Sequence, residues 1–159
     1  MTVFYTPDLI ADYILSKSNR EAGDTISPLK LQKLLYYCQA WHLTIFKRRL
    51  FDEDIEAWAH GPVVRSQYNR FNHIKLYDNI DPVCIESNLD VLHESRDLIN
   101  DVLAVYGEHS AGYLENLTHS ESPWIEGRKG YQEFERCSEV ISDESMIEFY
   151  STILQRNEE

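Results

Sequence analysis

The chain has 159 residues, a net charge of −12 and a hydrophobic fraction of 43%. A chain of this length is expected to form a single domain, residues 1–159, that buries about 70% of its unfolded surface. Residues 1–50 carry seven Lys/Arg and four Asp/Glu, whereas the rest of the chain carries eight and twenty-three. Because so acidic a chain repels phosphate backbones, general nucleic-acid binding is disfavoured.

The cysteines and the N-terminal residues indicate the cellular compartment in which the protein is expected. Cys38, Cys84 and Cys137 are odd in number and widely spaced, which argues against a disulfide framework and for a reducing environment. The first residues, MTVFYTPDLIADYIL, lack the basic region of a signal peptide. No apolar run approaches the roughly 18 residues of a membrane span. We therefore expect a cytoplasmic protein that does not contact a membrane.

The longest helical pattern lies between Ser27 and Arg49. Ser27 can cap the first turn, and Pro28 then occupies the first helical position, where its missing N–H costs nothing. Apolar residues follow at helical spacing over so wide an arc that we predict a central helix, over about 28–48, packed on two sides. One strip of this helix is expected to be exposed to solvent: Lys33, Ala40, Thr44 and Lys47.

The segment after the central helix carries weaker signals. Apolar and polar residues alternate over 55–60, which weakly indicates a strand. Gly61 and Pro62 mark a turn, after which Pro62 can open another helix. Between residues 73 and 86 no helical period is visible, so a loop or a small hairpin is expected.

Further helices are predicted from side chains that can cap a first turn. Their predicted cap residues are Thr6, Ser87, Ser110, Ser122 and Ser142. The tail from Gln155 is expected to fray. The fold class is therefore predicted as mainly α: a single compact helical domain around the central helix, with a small β-hairpin or short sheet as a possible addition.

Few side chains are spaced for chemistry. The strong zinc signatures are absent, and Cys38 and His42, four residues apart on one helix face, lie where core packing is the simpler role. No GxSxG motif or glycine-rich phosphate loop occurs. His119 and Ser120 are neighbours in sequence, which is no evidence of catalytic geometry. We predict no enzyme, no metal site and no cofactor.

The three tryptophans leave two alternatives open. Trp41, Trp58 and Trp124 lie in separate segments, each beside a cap or a turn. They can meet in the core. Alternatively, Trp58 and Trp124 line a protein-binding groove, because aromatic side chains bury a large area at small entropic cost.

Three blocks of sequence occur in an order that resembles a known family. They are LKLQKLLYYCQAWHL in the central helix, FDEDIEAWAHGPVV from Phe51 to Val64, and VYGEHSAGYLENLTHSESPW from Val105 to Trp124. Together they resemble the Panacea domain, also described as the SocA-like antitoxin or GepA-like phage-associated family. One departure is His60, where the family commonly has tyrosine or phenylalanine.

The resemblance implies an antitoxin, often encoded in prophages or mobile elements, that binds a cognate toxin and blocks it without a cofactor. The alternatives are an adaptor that delivers the toxin to an ATP-dependent protease and a prophage protein with another binding role. The acidic body predicts a toxin with a basic surface. Partner contacts are predicted in the segments around two tryptophans, at Trp58, His60, Arg65, His119, Glu121 and Trp124.

Two further classes of protein are weighed against this interpretation. One is a phage enzyme with a histidine-based site at His60 or His119. The other is a DNA-binding repressor, which the acidity opposes. The sequence leaves three questions open: which toxin is bound, whether the toxin is masked or degraded, and what the oligomeric state is.

Overall fold

The computed structural model of the chain describes residues 5–17, 25–80 and 93–157. Its helices and strands in chain order are α1 (Pro7–Ser16), α2 (Pro28–Phe46), β1 (Ile55–Trp58), β2 (Gly61–Val63), α3 (Arg65–Phe71), α4 (His93–Tyr106), α5 (Ala111–His119), α6 (Ser122–Gly127), β3 (Val140–Ile141) and α7 (Asp143–Asn157). Seven helices and one small sheet in the described ranges confirm the predicted mainly α class.

Helix α2 is the element around which the fold is assembled. It is 19 residues long and is contacted by α1, α3, α4, α5, α7 and β2. The Ser27 hydroxyl accepts the Lys30 backbone N–H at 3.2 Å, and Pro28 follows at the start of the helix. The helix ends at Phe46 because Lys47 adopts a left-handed conformation, with φ 59°. The predicted central helix is thus confirmed, with an end about two residues earlier.

The predicted solvent-exposed strip on α2 is wrong at three of its four positions. Lys33, Ala40 and Thr44 are buried, whereas Lys47 is exposed. Elements pack around the whole helix, so no face along most of its length is left to solvent. The Thr44 hydroxyl meets its hydrogen-bonding need locally by donating to the Ala40 carbonyl at 2.8 Å. The exposed apolar residue is Ile45, near the end of the helix.

A three-stranded antiparallel sheet, in the order β2-β1-β3, lies beside α2. Glu56 in β1 pairs with Val63 in β2 and with Val140 in β3. The strand predicted from the alternation near residue 55 is confirmed as β1. The third strand, β3, was not predicted, since two residues are too few to show a period.

Pro62 does not open a helix, contrary to the prediction. It lies in β2, and α3 begins at Arg65 with Val64 as its cap residue. The Gln32 side chain explains the difference: it accepts the Val64 backbone N–H at 2.8 Å and donates to the Val64 carbonyl at 3.1 Å. Because a buried amide on α2 holds Val64 in an extended conformation, the helix can begin only after it.

Side-chain caps confirm three of the other predicted helix starts. The hydroxyls that accept a backbone N–H, each at 3.1 Å, are those of Thr6 in front of α1, Ser110 in front of α5 and Ser142 in front of α7. Ser122 is instead the first residue of α6, and Glu121 precedes it as the cap residue. Helix α7 extends through Asn157, past the residue where fraying was predicted.

Some predictions concern residues that the structure does not describe. Ser87, the predicted cap of α4, and Cys84 lie outside the described residues, as does the last part of the loop predicted over 73–86. Up to Ile80 this segment consists of turns and bends, as the absence of a helical period predicted. None of the described helices has the length and apolar character to cross a membrane.

Candidate functional site

A cleft of about 660 Å³ opens between the first half of α2, the β1–β2 hairpin, α3 with the turn after it, and residues 134–138. Its floor is apolar and includes the buried side chains of Leu31 and Val63. Its rim carries exposed aromatic rings, with Phe134 87% and Tyr68 44% exposed. This volume is typical of ligand pockets, and aromatic side chains are typical anchors of protein interfaces.

The hairpin side of the rim is a rigid group of four side chains. Arg65 donates to both carboxylate oxygens of Glu56, at 2.9 Å and 2.7 Å. Its guanidinium carbon lies 5.3 Å from the centre of the Trp58 ring, and Tyr68 meets that ring edge-on at 4.8 Å. Hydrogen bonds from Arg65 lower the pKa of Glu56, which keeps it ionised. Trp58 is therefore held in one orientation at the mouth of the cleft.

His60 lies at the hairpin turn on the same rim. Its side chain is 63% exposed, and Nδ1 is 2.7 Å from Glu115 Oε1. Trp58, His60 and Arg65 are three of the six predicted contact residues, and all three line the cleft. The hairpin brings these three together, since they are close in sequence on either side of its turn.

His119 and Trp124 lie behind the hairpin and do not line the cleft. Their rings stack with centres 4.0 Å apart and planes 13° apart. The Trp124 indole N–H donates to the Trp58 carbonyl at 2.8 Å, and its side chain is buried. Burial also lowers the pKa of His119. This pair supports the back of the strand that presents Trp58.

Glu121 is part of the core. Its Oε1 accepts hydrogen bonds from the hydroxyls of Tyr37 at 2.7 Å and Tyr150 at 2.9 Å. The Tyr150 hydroxyl lies a further 3.0 Å from that of Tyr36. Burial raises the pKa of Glu121, against the lowering effect of its two tyrosine partners. The carboxyl group thus joins α2, α6 and α7 inside the protein.

Two of the three tryptophans pack in or against the core, and one lines the cleft. Trp124 is buried, and Trp41 packs against the core, where its indole N–H donates to the Tyr106 hydroxyl at 3.0 Å. Only Trp58 lines the cleft. As contacts to a partner, all six residues chosen from the sequence stay predictions.

Lys33 is the feature that the sequence did not single out. It is fully buried under the hairpin turn, and its Nζ makes no hydrogen bond within the described part of the chain. Gly61 has φ +115°, and a Cβ atom there would come within 2.6 Å of the Lys33 side chain, so any other residue would be strained and would displace the end of the lysine. Burial lowers the pKa of Lys33 to about 7, against the attraction of Glu115. Its amine is therefore poised between the charged and neutral forms.

The apolar circumference of α2 is a sequence signal from which the burial of Lys33 could have been predicted. A helix that is apolar on almost every side is expected to pack against more than one neighbour. Ala40 and Thr44, the other buried members of the predicted strip, are small and tolerate burial. A lysine among them is surrounded once the hairpin and α5 pack on that face.

The metal alternative finds no support in the geometry of His42. Its Nδ1 lies 2.8 Å from the Arg48 carbonyl oxygen and its Nε2 lies 2.9 Å from the Ser95 hydroxyl. Both ring nitrogens are thus engaged by protein groups, and Cys38 is buried in the core. Among the described residues, no three His, Cys, Asp or Glu side chains are grouped to hold a metal ion.

Comparison with known families identifies the class of this domain. A family model described as "Antitoxin SocA-like, Panacea domain" matches residues 31–125, more than half of the chain. The protein therefore belongs to the SocA-like, Panacea domain family, as its sequence blocks indicated. No curated protein and no solved structure matches the chain.

The matched range covers only part of the cleft. It contains most of α2, the β1–β2 hairpin and α3, and thus Trp58, His60 and Arg65. Residues 134–138, which form the opposite wall and carry Phe134, lie beyond it. Residues matched by the family model supply one wall of the cleft, and residues 134–138, which lie beyond the match, supply the other.

Proposed function

We propose that this protein is an antitoxin that neutralises a cognate toxin by binding it directly, without catalysing a reaction. The observation that carries the proposal is the family match over residues 31–125. An antitoxin of this kind needs a stable surface and a complementary partner, and it needs neither a cofactor nor a reactive group.

The cleft supports a binding role. Its rim presents Trp58, Tyr68 and Phe134 beside an apolar floor, and interface hot spots typically combine such rings with a well-packed pocket. The Arg65–Glu56 pair fixes Trp58 before any partner arrives, which reduces the ordering cost of binding. A stable complex buries roughly 800 Å² on each partner, so the toxin would extend beyond the cleft.

The charge of the molecule supports a partner with a basic surface. The chain beyond residue 50 holds most of the acid that gives the net charge of −12. An acidic field of this size would speed the approach of a basic toxin, mainly through the association rate. The basic surface of the toxin is part of the proposal.

Co-expression with the neighbouring small gene tests the proposal. We expect that gene to arrest growth alone and to be harmless when this protein is present. Phe134→Ala should weaken the complex at least thirtyfold by calorimetry, because an exposed aromatic anchor is lost. The free energy of unfolding of the Phe134→Ala variant should differ from that of the wild type by less than about 0.5 kcal/mol, as for other exposed residues. Tyr77→Ala, which removes an exposed ring outside the cleft lining, is the matched control.

Two results of that experiment would change the conclusion. A neighbouring gene that is harmless alone, or that stays toxic beside this protein, contradicts the antitoxin proposal. A toxin that disappears only in cells containing an ATP-dependent protease would identify the adaptor mechanism in place of direct masking.

Histidine substitutions test the absence of catalysis. We expect His60→Ala and His119→Ala each to retain neutralisation within about tenfold, since truncation of most interface side chains costs less than that and His119 does not line the cleft. Removal of an essential catalytic group costs far more, on the order of a thousandfold or above. Circular dichroism must show that both variants are folded, because His119 stacks on Trp124. A complete loss of neutralisation in a folded variant would indicate an enzyme.

A further inference from the structure

The charge of the cleft is opposite to that of the rest of the protein. The described residues that line it include Lys33, Arg65, Lys75, Arg136 and His60, and include neither aspartate nor glutamate. In a chain with 27 acidic and 15 basic residues, a lining of this composition is a local reversal of charge. It identifies the cleft as a place where negative charge is favoured.

Two of these cations are free to meet a partner. Arg65 is neutralised by its pair with Glu56, and Lys33 is buried. Lys75 and Arg136, by contrast, are exposed and form no ion pair within the described part of the chain. They lie on different walls, since Lys75 follows α3 and Arg136 belongs to the 134–138 segment. A ligand in the cleft would therefore pass between them.

The two acids that flank Phe134 are not among the residues that line the cleft. Glu133 and Glu135 instead line a neighbouring hollow, which shares Phe134 with the cleft. Glu135 also accepts the Gln132 backbone N–H at 2.9 Å, which orients its carboxylate toward its own turn. The cleft thus combines an apolar floor, aromatic anchors on the rim and two cations that have no ion-pair partner among the described residues.

We propose that the cleft binds an acidic segment of the toxin that also carries apolar side chains, with its carboxylates paired to Lys75 and Arg136. The inference rests on the proposed antitoxin function. Arginine can hold a carboxylate through two parallel hydrogen bonds, and the floor at Leu31 and Val63 takes apolar side chains from water. Neither feature alone fixes the ligand, whereas together they specify a segment with both kinds of residue.

The preference of the cleft for acidic groups differs from the long-range attraction of the whole protein for a basic partner. The acidic body attracts a basic toxin from a distance, because such fields act over about a Debye length of 8 to 10 Å. Contacts inside the cleft act at hydrogen-bond range, where Lys75 and Arg136 dominate. A toxin that is basic overall and carries one acidic, apolar segment satisfies both conditions.

A peptide-display experiment tests the inference without the toxin. Random twelve-residue peptides are selected on the immobilised full chain and, in parallel, on the variant Lys75→Glu/Arg136→Glu. The matched control is Lys129→Glu/Arg156→Glu, which makes the same change of charge at exposed positions outside the lining. We expect peptides enriched in Asp/Glu together with Leu, Phe or Trp, with affinity reduced at least tenfold by the cleft variant and less than threefold by the control.

The outcomes separate this inference from the proposed function. Enriched peptides that are basic or uncharged, peptides that bind the cleft variant equally well, or no enrichment over a blank surface would each overturn the acidic-segment inference. A single-stranded oligonucleotide that binds the cleft in competition with the selected peptides would overturn it in favour of nucleic acid. In co-expression, a cleft variant that neutralises as well as the wild type overturns the inference alone. A wild type that fails to neutralise overturns the proposed function.

Discussion

Lys33→Met is expected to raise the free energy of unfolding by roughly 3 kcal/mol at pH 7. The wild-type amine is buried without a hydrogen bond within the described residues, so it bears the cost of lost hydration. Methionine fills a similar volume with an unbranched apolar chain. The hairpin turn at Gly61 can stay as it is, because the new side chain occupies the same space beneath it.

The pH dependence of this gain has a definite sign. An unfolded lysine keeps its proton up to pH 10.5, whereas burial lowers the pKa of Lys33 in the folded protein to about 7. Between these values the unfolded state binds more protons, so the wild type becomes more stable as the pH rises. The advantage of Lys33→Met should therefore shrink by roughly 3 kcal/mol between pH 7 and pH 9.5.

The other titratable groups near Lys33 do not obscure the expected change in stability between pH 7 and pH 9.5. Glu115 opposes the lowering of the Lys33 pKa, and His60 lies on the other side of Glu115. The pKa of His119 is lowered, so it stays neutral throughout the window. Burial raises the pKa of Cys38, and this group affects both proteins alike.

Urea unfolding of both proteins at the two pH values measures the effect. Lys129→Met, at an exposed position, is the control and should leave the pH dependence of the wild type unchanged. An advantage of Lys33→Met that is the same at pH 7 and pH 9.5 would show that Lys33 keeps its charge in the folded protein.

Glu121→Ala is expected to lower the free energy of unfolding by about 4 kcal/mol. The substitution leaves the hydroxyls of Tyr37 and Tyr150 buried without their acceptor. It also opens a cavity where α2, α6 and α7 meet. Glu121→Gln retains an oxygen acceptor and should cost only about 1 kcal/mol, a typical value for one altered hydrogen bond.

The Glu121 pair of variants also has a pH signature. An unfolded glutamate loses its proton near pH 4.3, whereas burial raises the pKa of Glu121 in the folded protein. The folded state binds more protons between these values, so the wild type loses stability as the pH rises from about 4.3 through the folded pKa. Glu121→Gln should lack this loss.

Urea unfolding between pH 4 and pH 7 distinguishes these expectations. Glu148→Ala, an exposed carboxyl on α7, should change stability by less than about 0.5 kcal/mol. A cost of Glu121→Ala no larger than that of Glu148→Ala would mean that the tyrosine hydroxyls find other partners, and that Glu121 does not hold the three helices together.

Local signals in the sequence determined most of the helical framework. The Ser27 hydroxyl and Pro28 specify the start of α2 through groups at most three residues apart. Thr6, Ser110 and Ser142 act in the same way at three other helices. A cap is a hydrogen bond within the first turn of its own helix, so it does not depend on how the rest of the chain packs. The family blocks added the class of protein, because they are also contiguous stretches.

Only the tertiary structure decided which residues face a partner. Lys33 is polar and was expected in solvent, yet β2 and α5 cover it, and Glu121 was expected at a binding surface, yet two tyrosines enclose it. The cleft itself joins Trp58 on the hairpin to Phe134 and Arg136. No period or spacing relates residues so far apart in sequence. The packing of the hairpin and the 134–138 segment against α2 sets their separation, and with it the apolar floor and the cations that define the candidate site.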